Sequence, residues 1–128
     1  MPRILVIDDQ SHVRAAIMIA LQAKGFDVVA VESGPLGLRE FETSHFDLAI
    51  VDIFMPGMDG TKLIKALRER GQNLPVIAIS GVLLRASGRT ALDFLPMVPE
   101  LSDVICLQKP FRPGELLQAI QKAFAVAV

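Results

Sequence analysis

The sequence predicts an α/β fold in which a parallel sheet is covered by helices on both faces. Short apolar runs rich in β-branched residues recur along the chain, and stretches with apolar residues at helical spacing lie between them. Strands that are apolar throughout are typical of parallel sheets buried on both sides. Alternation of strand and helix makes each connection a crossover, and crossovers are right-handed in nearly all proteins. The predicted strands cover residues 4–7, 28–31, 48–51, 76–79 and 104–107.

Capping residues, glycines and prolines set the predicted helix boundaries. Ser11 is predicted to cap the first helix, which Gly25 ends. Pro35 is typical of the first turn of a second helix, Gly71 ends the third, and Pro113 opens the last. The segment 82–103 has a weaker pattern and contains several helix breakers. We therefore expect a short or broken helix there.

Length and composition favour one globular domain that covers residues 1–128. Hydrophobic residues make up 52% of the chain and charged residues 21%, the opposite of the balance found in disordered chains. A net charge of −1 argues against a nucleic-acid or membrane surface. Cys106 is the only cysteine, so no internal disulfide forms, and we expect a reducing, cytoplasmic compartment.

Polar residues follow the apolar cores of several predicted strands. They are Asp8, Asp9, Asp52, Ser80 and Lys109. Because the carboxyl ends of parallel strands share one edge of the sheet, residues far apart in the sequence are expected to meet there. The sequence therefore predicts that three carboxylates, one hydroxyl and one ammonium lie together.

This set of groups indicates a metal-assisted phosphoryl site. Carboxylates close together repel each other, and a bound cation relieves that repulsion. Hard oxygen ligands without histidine or cysteine favour Mg²⁺. Lys109 and Ser80 add a positive charge and a hydroxyl donor for a phosphoryl group, which leaves one carboxylate as nucleophile. Each feature alone also has a structural explanation, since acids favour helix N-termini and Pro110 suits a turn.

Four sequence motifs surround these polar residues. They are ILVIDD at 4–9, DLAIVDIFMPGMDG at 47–60, PVIAISG at 75–81 and KPF at 109–111. With these motifs the chain resembles the receiver domain of two-component response regulators, including the chemotaxis-regulator type. The resemblance covers essentially the whole chain, and the second motif is highly specific.

The resemblance implies a flavodoxin-like, doubly wound sheet of five parallel strands in the order 2-1-3-4-5. It also implies a magnesium site. Asp9 and Asp52 match direct ligands of Mg²⁺, the backbone carbonyl of Phe54 matches a third ligand, and Asp8 matches the acid that holds the ion through water.

The resemblance further implies a signalling switch and not an enzyme, because such domains assist only their own phosphorylation and dephosphorylation. Asp52 matches the phosphoacceptor, Ser80 the hydroxyl that binds the phosphoryl group, and Lys109 the lysine that pairs with a phosphoryl oxygen. The implied donor is a sensor histidine kinase or a histidine phosphotransfer protein. The implied output is a downstream protein or an output domain outside this sequence, with no nucleic-acid contact by this domain.

Two departures from the family pattern, and two bulky residues near the site, carry expectations of their own. Cys106 stands where the family usually has an aromatic residue, and we interpret it as a small packed side chain. Ser80 and Lys109 are further apart than in the family, which predicts either an unusual partner surface or a harmless loop insertion. Bulky apolar residues at Phe54 and Val82 are expected to shield an acyl phosphate from water and slow its loss.

Three other functions remain open at this point. A pseudo-receiver would keep the fold without being phosphorylated. A Mg²⁺-dependent phosphatase that forms an aspartyl phosphate usually has a second acid two residues after the nucleophile, where this chain has Phe54. A flavin-binding module needs a phosphate-binding loop after the first strand, and the acids Asp8 and Asp9 have the wrong charge for it.

Overall fold

The protein is built around one sheet of five parallel strands. A computed structural model describes residues 2–55, 58–71, 73–81, 83–84, 89–90 and 99–126. The strands are β1 (Arg3–Ile7), β2 (Asp27–Val31), β3 (Leu48–Asp52), β4 (Val76–Ser80) and β5 (Ile105–Gln108). Along the sheet they lie in the order β2, β1, β3, β4 and β5, and every neighbouring pair is parallel. The predicted fold class and strand order are confirmed.

Helices cover both faces of this sheet, as the sequence predicts. They are α1 (Ser11–Gln22), α2 (Gly34–Thr43), α3 (Gly60–Arg70) and α4 (Pro113–Val126). Successive strand residues point to opposite faces, so β1 sends Ile4 and Val6 to the side of α1 and α4. Leu5 and Ile7 point to the side of α3. The central strands β1, β3 and β4 are therefore almost entirely apolar, because both of their faces are buried.

The starts of α2 and α3 follow the capping rules, whereas the start of α1 does not. Ser33 caps α2, its hydroxyl accepting a hydrogen bond from the N–H of Leu36, and Asp59 caps α3 through the N–H of Thr61. The prediction that Ser11 caps α1 is wrong. The N-cap of α1 is Gln10, and its side chain makes no capping hydrogen bond.

The fifth strand differs from the prediction in a way that matters for Cys106. It begins one residue later than predicted, since Val104 donates its N–H to the carbonyl of Leu101 and packs in the core. Ile105 and Leu107 pack against the cluster formed with α1 and α4. Cys106 points to the other side of this edge strand and is exposed. The packing interpretation of Cys106 is therefore wrong.

The segment before β5 is described only in part. Leu83–Leu84 pairs antiparallel with Arg89–Thr90, and a 3-10 turn covers Pro99–Leu101. The predicted short helix and the predicted partner surface fall largely outside the described residues, as does Val82. Where the segment returns to the sheet, Arg68 of α3 binds both carboxylate oxygens of Asp103 at 2.8 Å.

The described helices are too short or too polar to cross a lipid bilayer.

Candidate functional site

The carboxyl ends of β1, β3, β4 and β5 bring the predicted polar residues to one edge of the sheet. The last residue of β3, Asp52, pairs in register with Ile79, one residue before the end of β4. Ser80 ends β4 and is fully buried. Its backbone carbonyl accepts a hydrogen bond from the backbone N–H of Lys109 at 2.9 Å. Oxygen atoms of the Asp8, Asp9 and Asp52 carboxylates lie within 4.8 Å of one another.

Asp52 is a buried acid that is held from two sides. Its Oδ1 accepts a hydrogen bond from the backbone N–H of Phe54 at 3.0 Å, and its Oδ2 accepts one from Nζ of Lys109 at 3.1 Å. Burial raises the pKa of Asp52, and the nearby charge of Asp8 adds to that rise. The two hydrogen bonds lower the pKa without cancelling the rise. The carboxylate is therefore fixed in position and poorly solvated.

Asp8 is also buried, whereas Asp9 is exposed. Asp8 Oδ1 accepts the N–H of Gln10 at 2.9 Å, and the backbone carbonyl of Asp8 accepts from Nη1 of Arg14 at 2.7 Å. Asp8 Oδ2 lies 2.8 Å from Nζ of Lys109 but has no hydrogen bond of good geometry. A buried carboxylate oxygen in this state has unused capacity to bind a cation.

Lys109 connects the two buried acids. Its Nζ contacts Asp8 Oδ2 and Gln10 Oε1 at 2.8 Å each, and Asp52 Oδ2 at 3.1 Å. Burial alone would lower the pKa of Lys109. The close contacts and negative charges of Asp8 and Asp52 outweigh burial, so the pKa is raised and the ammonium stays charged.

The contact from Gln10 was not predicted from the sequence. No local signal indicated it, because the sequence predicts Ser11 as the N-cap of the first helix and only the structure places Gln10 there.

A glycine brings the start of α3 close to the end of β3. The N–H of Gly60 donates to the carbonyl of Ile53 at 3.3 Å. A Cβ at this position would lie 2.3 Å from the Cα of Ile53. Phe54 is 49% exposed, and its predicted roles as a carbonyl ligand and as a shield remain predictions.

The three acids fit a divalent cation that prefers oxygen. Two of them are buried side by side, one is open to solvent, and Asp8 Oδ2 has no hydrogen bond of good geometry. His12 is exposed and is not part of this cluster.

A groove of about 460 Å³ adjoins the site. It runs between α1 and the loop that leads into α4, with apolar walls that include Val13, Ile17 and Leu116. Gln10 and Lys109 lie at its polar end. A partner that occupies this groove would therefore contact Lys109, whose Nζ lies 3.1 Å from Oδ2 of Asp52.

Comparison with known proteins decides the family. Residues 4–121 match the model of the response regulator receiver domain. The chain belongs to this family. The family predicted from the four motifs is therefore confirmed. Receiver domains act as signalling switches in two-component systems.

Solved receiver structures resemble the fold closely. The chemotaxis protein CheY4 of Vibrio cholerae has a TM-score of 0.83 and 26% identity, with 96% of this chain and 98% of that chain covered. The response regulator TrrA of Thermotoga maritima, solved in complex with Mg²⁺ and BeF, has a TM-score of 0.79 and 26% identity, with 96% and 99% covered.

The sensor protein GacS of Pseudomonas syringae pv. syringae is 31% identical over 132 residues, which cover 99% of this chain and 14% of GacS. This receiver domain therefore corresponds to a small part of that longer relative.

Proposed function

We propose that residues 1–128 form a single receiver domain that accepts a phosphoryl group on Asp52 from a phosphohistidine of a partner protein. The setting of Asp52 carries this proposal. One carboxylate oxygen is held by the N–H of Phe54 and the other by the ammonium of Lys109. Asp8 and Asp9 place two further carboxylates within 4.8 Å. A nucleophile oriented in this way suits in-line attack.

The transfer needs little covalent chemistry from the protein. One oxygen of Asp52 attacks phosphorus, and a P–O bond forms while the P–N bond to histidine breaks. The imidazole leaves with the electron pair of that bond and takes up a proton. Lys109 stabilises negative charge on the phosphoryl oxygens. After transfer, the hydroxyl of Ser80 donates a hydrogen bond to one of these oxygens. Positioning and charge neutralisation supply most of the rate.

The resident cation is proposed to be Mg²⁺. The carboxylates of Asp8, Asp9 and Asp52 and the carbonyl of Phe54 would hold it, with Asp8 acting through water. When bound, Mg²⁺ neutralises charge on the transferring phosphoryl group. The absence of histidine and cysteine from the cluster favours Mg²⁺ over zinc, and TrrA was solved with Mg²⁺.

The proposed partners follow from the donor chemistry. A sensor histidine kinase or a histidine phosphotransfer protein supplies the phosphohistidine in the cytoplasm. The groove lined by Lys109 would place such a partner next to the ammonium that contacts Asp52. Phosphorylation then changes the affinity of the domain for a downstream protein or for an output domain in a longer chain, without direct contact to nucleic acid.

One experiment tests this proposal directly. The protein is incubated with acetyl phosphate and Mg²⁺, and its intact mass is followed. We expect one acid-labile phosphoryl group, absent without Mg²⁺ and absent from Asp52→Asn. Asp27→Asn serves as the matched control, because Asp27 is an exposed acid of the second strand. Phosphorylation of Asp52→Asn to the wild-type extent would rule out Asp52 as the acceptor.

The alternatives give different results in the same assay. A pseudo-receiver gains no phosphate from acetyl phosphate or from phosphohistidine donors. A phosphatase releases inorganic phosphate from small esters for many turnovers per protein molecule. The complete set of acids, hydroxyl and lysine favours the phosphoacceptor over both.

A further inference from the structure

The side chain of Gln10 does not cap the helix that this residue begins. Gln10 is the N-cap of α1, and its backbone carbonyl accepts the N–H groups of Val13 and Arg14 at 3.1 Å. Its carboxamide makes no capping hydrogen bond. Instead, Oε1 accepts a hydrogen bond from Nζ of Lys109 at 2.8 Å, across 99 positions of sequence.

This hydrogen bond completes the surroundings of the Lys109 ammonium. An ammonium has three N–H donors, and Nζ has three oxygen neighbours, from Asp8, Gln10 and Asp52. The Asp8 contact is short but lacks good hydrogen-bond geometry. Gln10 and Asp52 therefore provide the two directed hydrogen bonds that orient a group on a flexible four-carbon stem.

The neutral charge of the carboxamide is also significant. A carboxylate in place of the Gln10 carboxamide would hold the ammonium more strongly, but its negative charge would repel the incoming phosphoryl group. A carboxamide oxygen orients the ammonium without adding negative charge to the cluster.

We propose that Gln10 is a positioning residue that holds the Lys109 ammonium beside Asp52 in the unphosphorylated protein, so that phosphoryl transfer begins with Lys109 already in place. The proposal rests on the phosphoacceptor function proposed above. Gln10 acts through Lys109 and forms no bond to the transferring group.

The first test is a double-mutant cycle read by the rate of phosphorylation. Gln10→Met keeps the length of the side chain and removes the acceptor. With acetyl phosphate and Mg²⁺ we expect a rate about tenfold lower, the size expected for losing one hydrogen bond to a charged group. In a Lys109→Ala background the same substitution is expected to change the rate less than twofold. Gln22→Met is the matched control, since Gln22 is exposed on the same helix.

The second test needs no phosphate donor. In the resting ¹⁵N-labelled protein, the side-chain ammonium resonance of Lys109 is expected to be protected from solvent exchange. It should shift or broaden in Gln10→Met and return in Gln10→Glu, which restores an acceptor of the same length. The resonance of exposed Lys122 is the internal reference.

The two tests separate the possible failures. A wild-type protein that gains no phosphate on Asp52 overturns the phosphoacceptor function. An ammonium resonance that is identical in wild type and Gln10→Met overturns the positioning role, whatever the phosphorylation result. Equal tenfold losses with and without Lys109 also overturn it, because Gln10 would then act by another route.

Discussion

Nζ of Lys109 lies 3.1 Å from Oδ2 of Asp52, although the two residues are 57 positions apart. The parallel sheet causes this contact, because β3 and β5 flank β4 and end at the same edge. The side chains of Lys109 and Asp52 are only 13% and 5% exposed. Water therefore screens their interaction weakly. Removal of Lys109 would leave the buried carboxylates of Asp8 and Asp52 without their counterion, whereas removal of Asp52 leaves Lys109 paired with Asp8.

The first prediction concerns the cost of burying Asp52 without a metal. Burial raises the pKa of Asp52 above its ordinary value of 3.8. The folded state therefore binds this proton more tightly than the unfolded state does, and folding stability falls as the pH rises through the folded-state pKa. In metal-free buffer at pH 7, Asp52→Asn is expected to be about 1 kcal/mol more stable than wild type, as is common when a strained functional site is relieved.

Urea unfolding at several pH values checks this prediction. The advantage of Asp52→Asn should shrink as the pH falls and vanish below 3.8, where the wild-type carboxyl becomes protonated in both the folded and the unfolded state. If the difference in free energy of unfolding between Asp52→Asn and wild type stays constant from neutral to acidic pH, burial of the Asp52 charge is not its cause.

The second prediction concerns Asp9 as a cation ligand. Asp9 is exposed, so Asp9→Asn is expected to leave the fold intact. Loss of one carboxylate should weaken Mg²⁺ binding about tenfold or more, because Mg²⁺ is bound through few protein ligands. The Mg²⁺ affinity is measured by thermal unfolding, because Tm rises with the Mg²⁺ concentration when the folded protein binds the ion. Chelation of the metal should remove the rise, and Asp27→Asn should show the wild-type curve.

The third prediction concerns Gly60, which allows the start of α3 to approach the end of β3. A Cβ there would lie 2.3 Å from the Cα of Ile53, so the backbone must move. Gly60→Ala is expected to cost about 1–3 kcal/mol, the usual range for overpacking. It should also slow phosphorylation, because Phe54 holds Oδ1 of Asp52 and directly follows Ile53.

Gly114 provides the matched control for this substitution. It lies in α4, and a Cβ there would contact nothing within 4 Å. Gly114→Ala is expected to stabilise the protein by about 0.4–1 kcal/mol, because alanine reduces the freedom of the unfolded chain. Denaturant unfolding of both variants measures the contrast, and similar effects of the two substitutions would contradict it.

The fourth prediction concerns the ion pair between Arg68 and Asp103. Both carboxylate oxygens of Asp103 accept from Arg68 at 2.8 Å, and the Arg68 side chain is 17% exposed. Asp103→Ala is expected to cost about 1 kcal/mol, since a bidentate and partly buried pair exceeds an ordinary surface pair. Glu42→Ala breaks the more exposed pair with Arg70 and should cost less than about 0.5 kcal/mol. Equal losses in urea unfolding would show that burial and geometry do not distinguish the pairs.

The order of the elements was predictable because it depends on local pattern. Apolar strands that both faces bury leave continuous runs of β-branched residues, and Ile4–Leu5–Val6–Ile7 is one of them. Helix caps were predictable where the capping residue serves its own helix, as Ser33 does. The prediction failed at Gln10, because the partner of its side chain is Lys109, which follows β5 and lies 99 positions away in the sequence.

The sequence alone therefore determined the fold class, the receiver family and the acids, hydroxyl and lysine at the strand ends. These features follow from short-range periodicity and from motifs that remain contiguous in the chain. Tertiary structure decided which atoms meet: Lys109 between Asp8, Gln10 and Asp52, and Cys106 on the exposed side of an edge strand. Contacts of this kind depend on how distant strands pair and on which face neighbouring elements cover, and no local pattern encodes either.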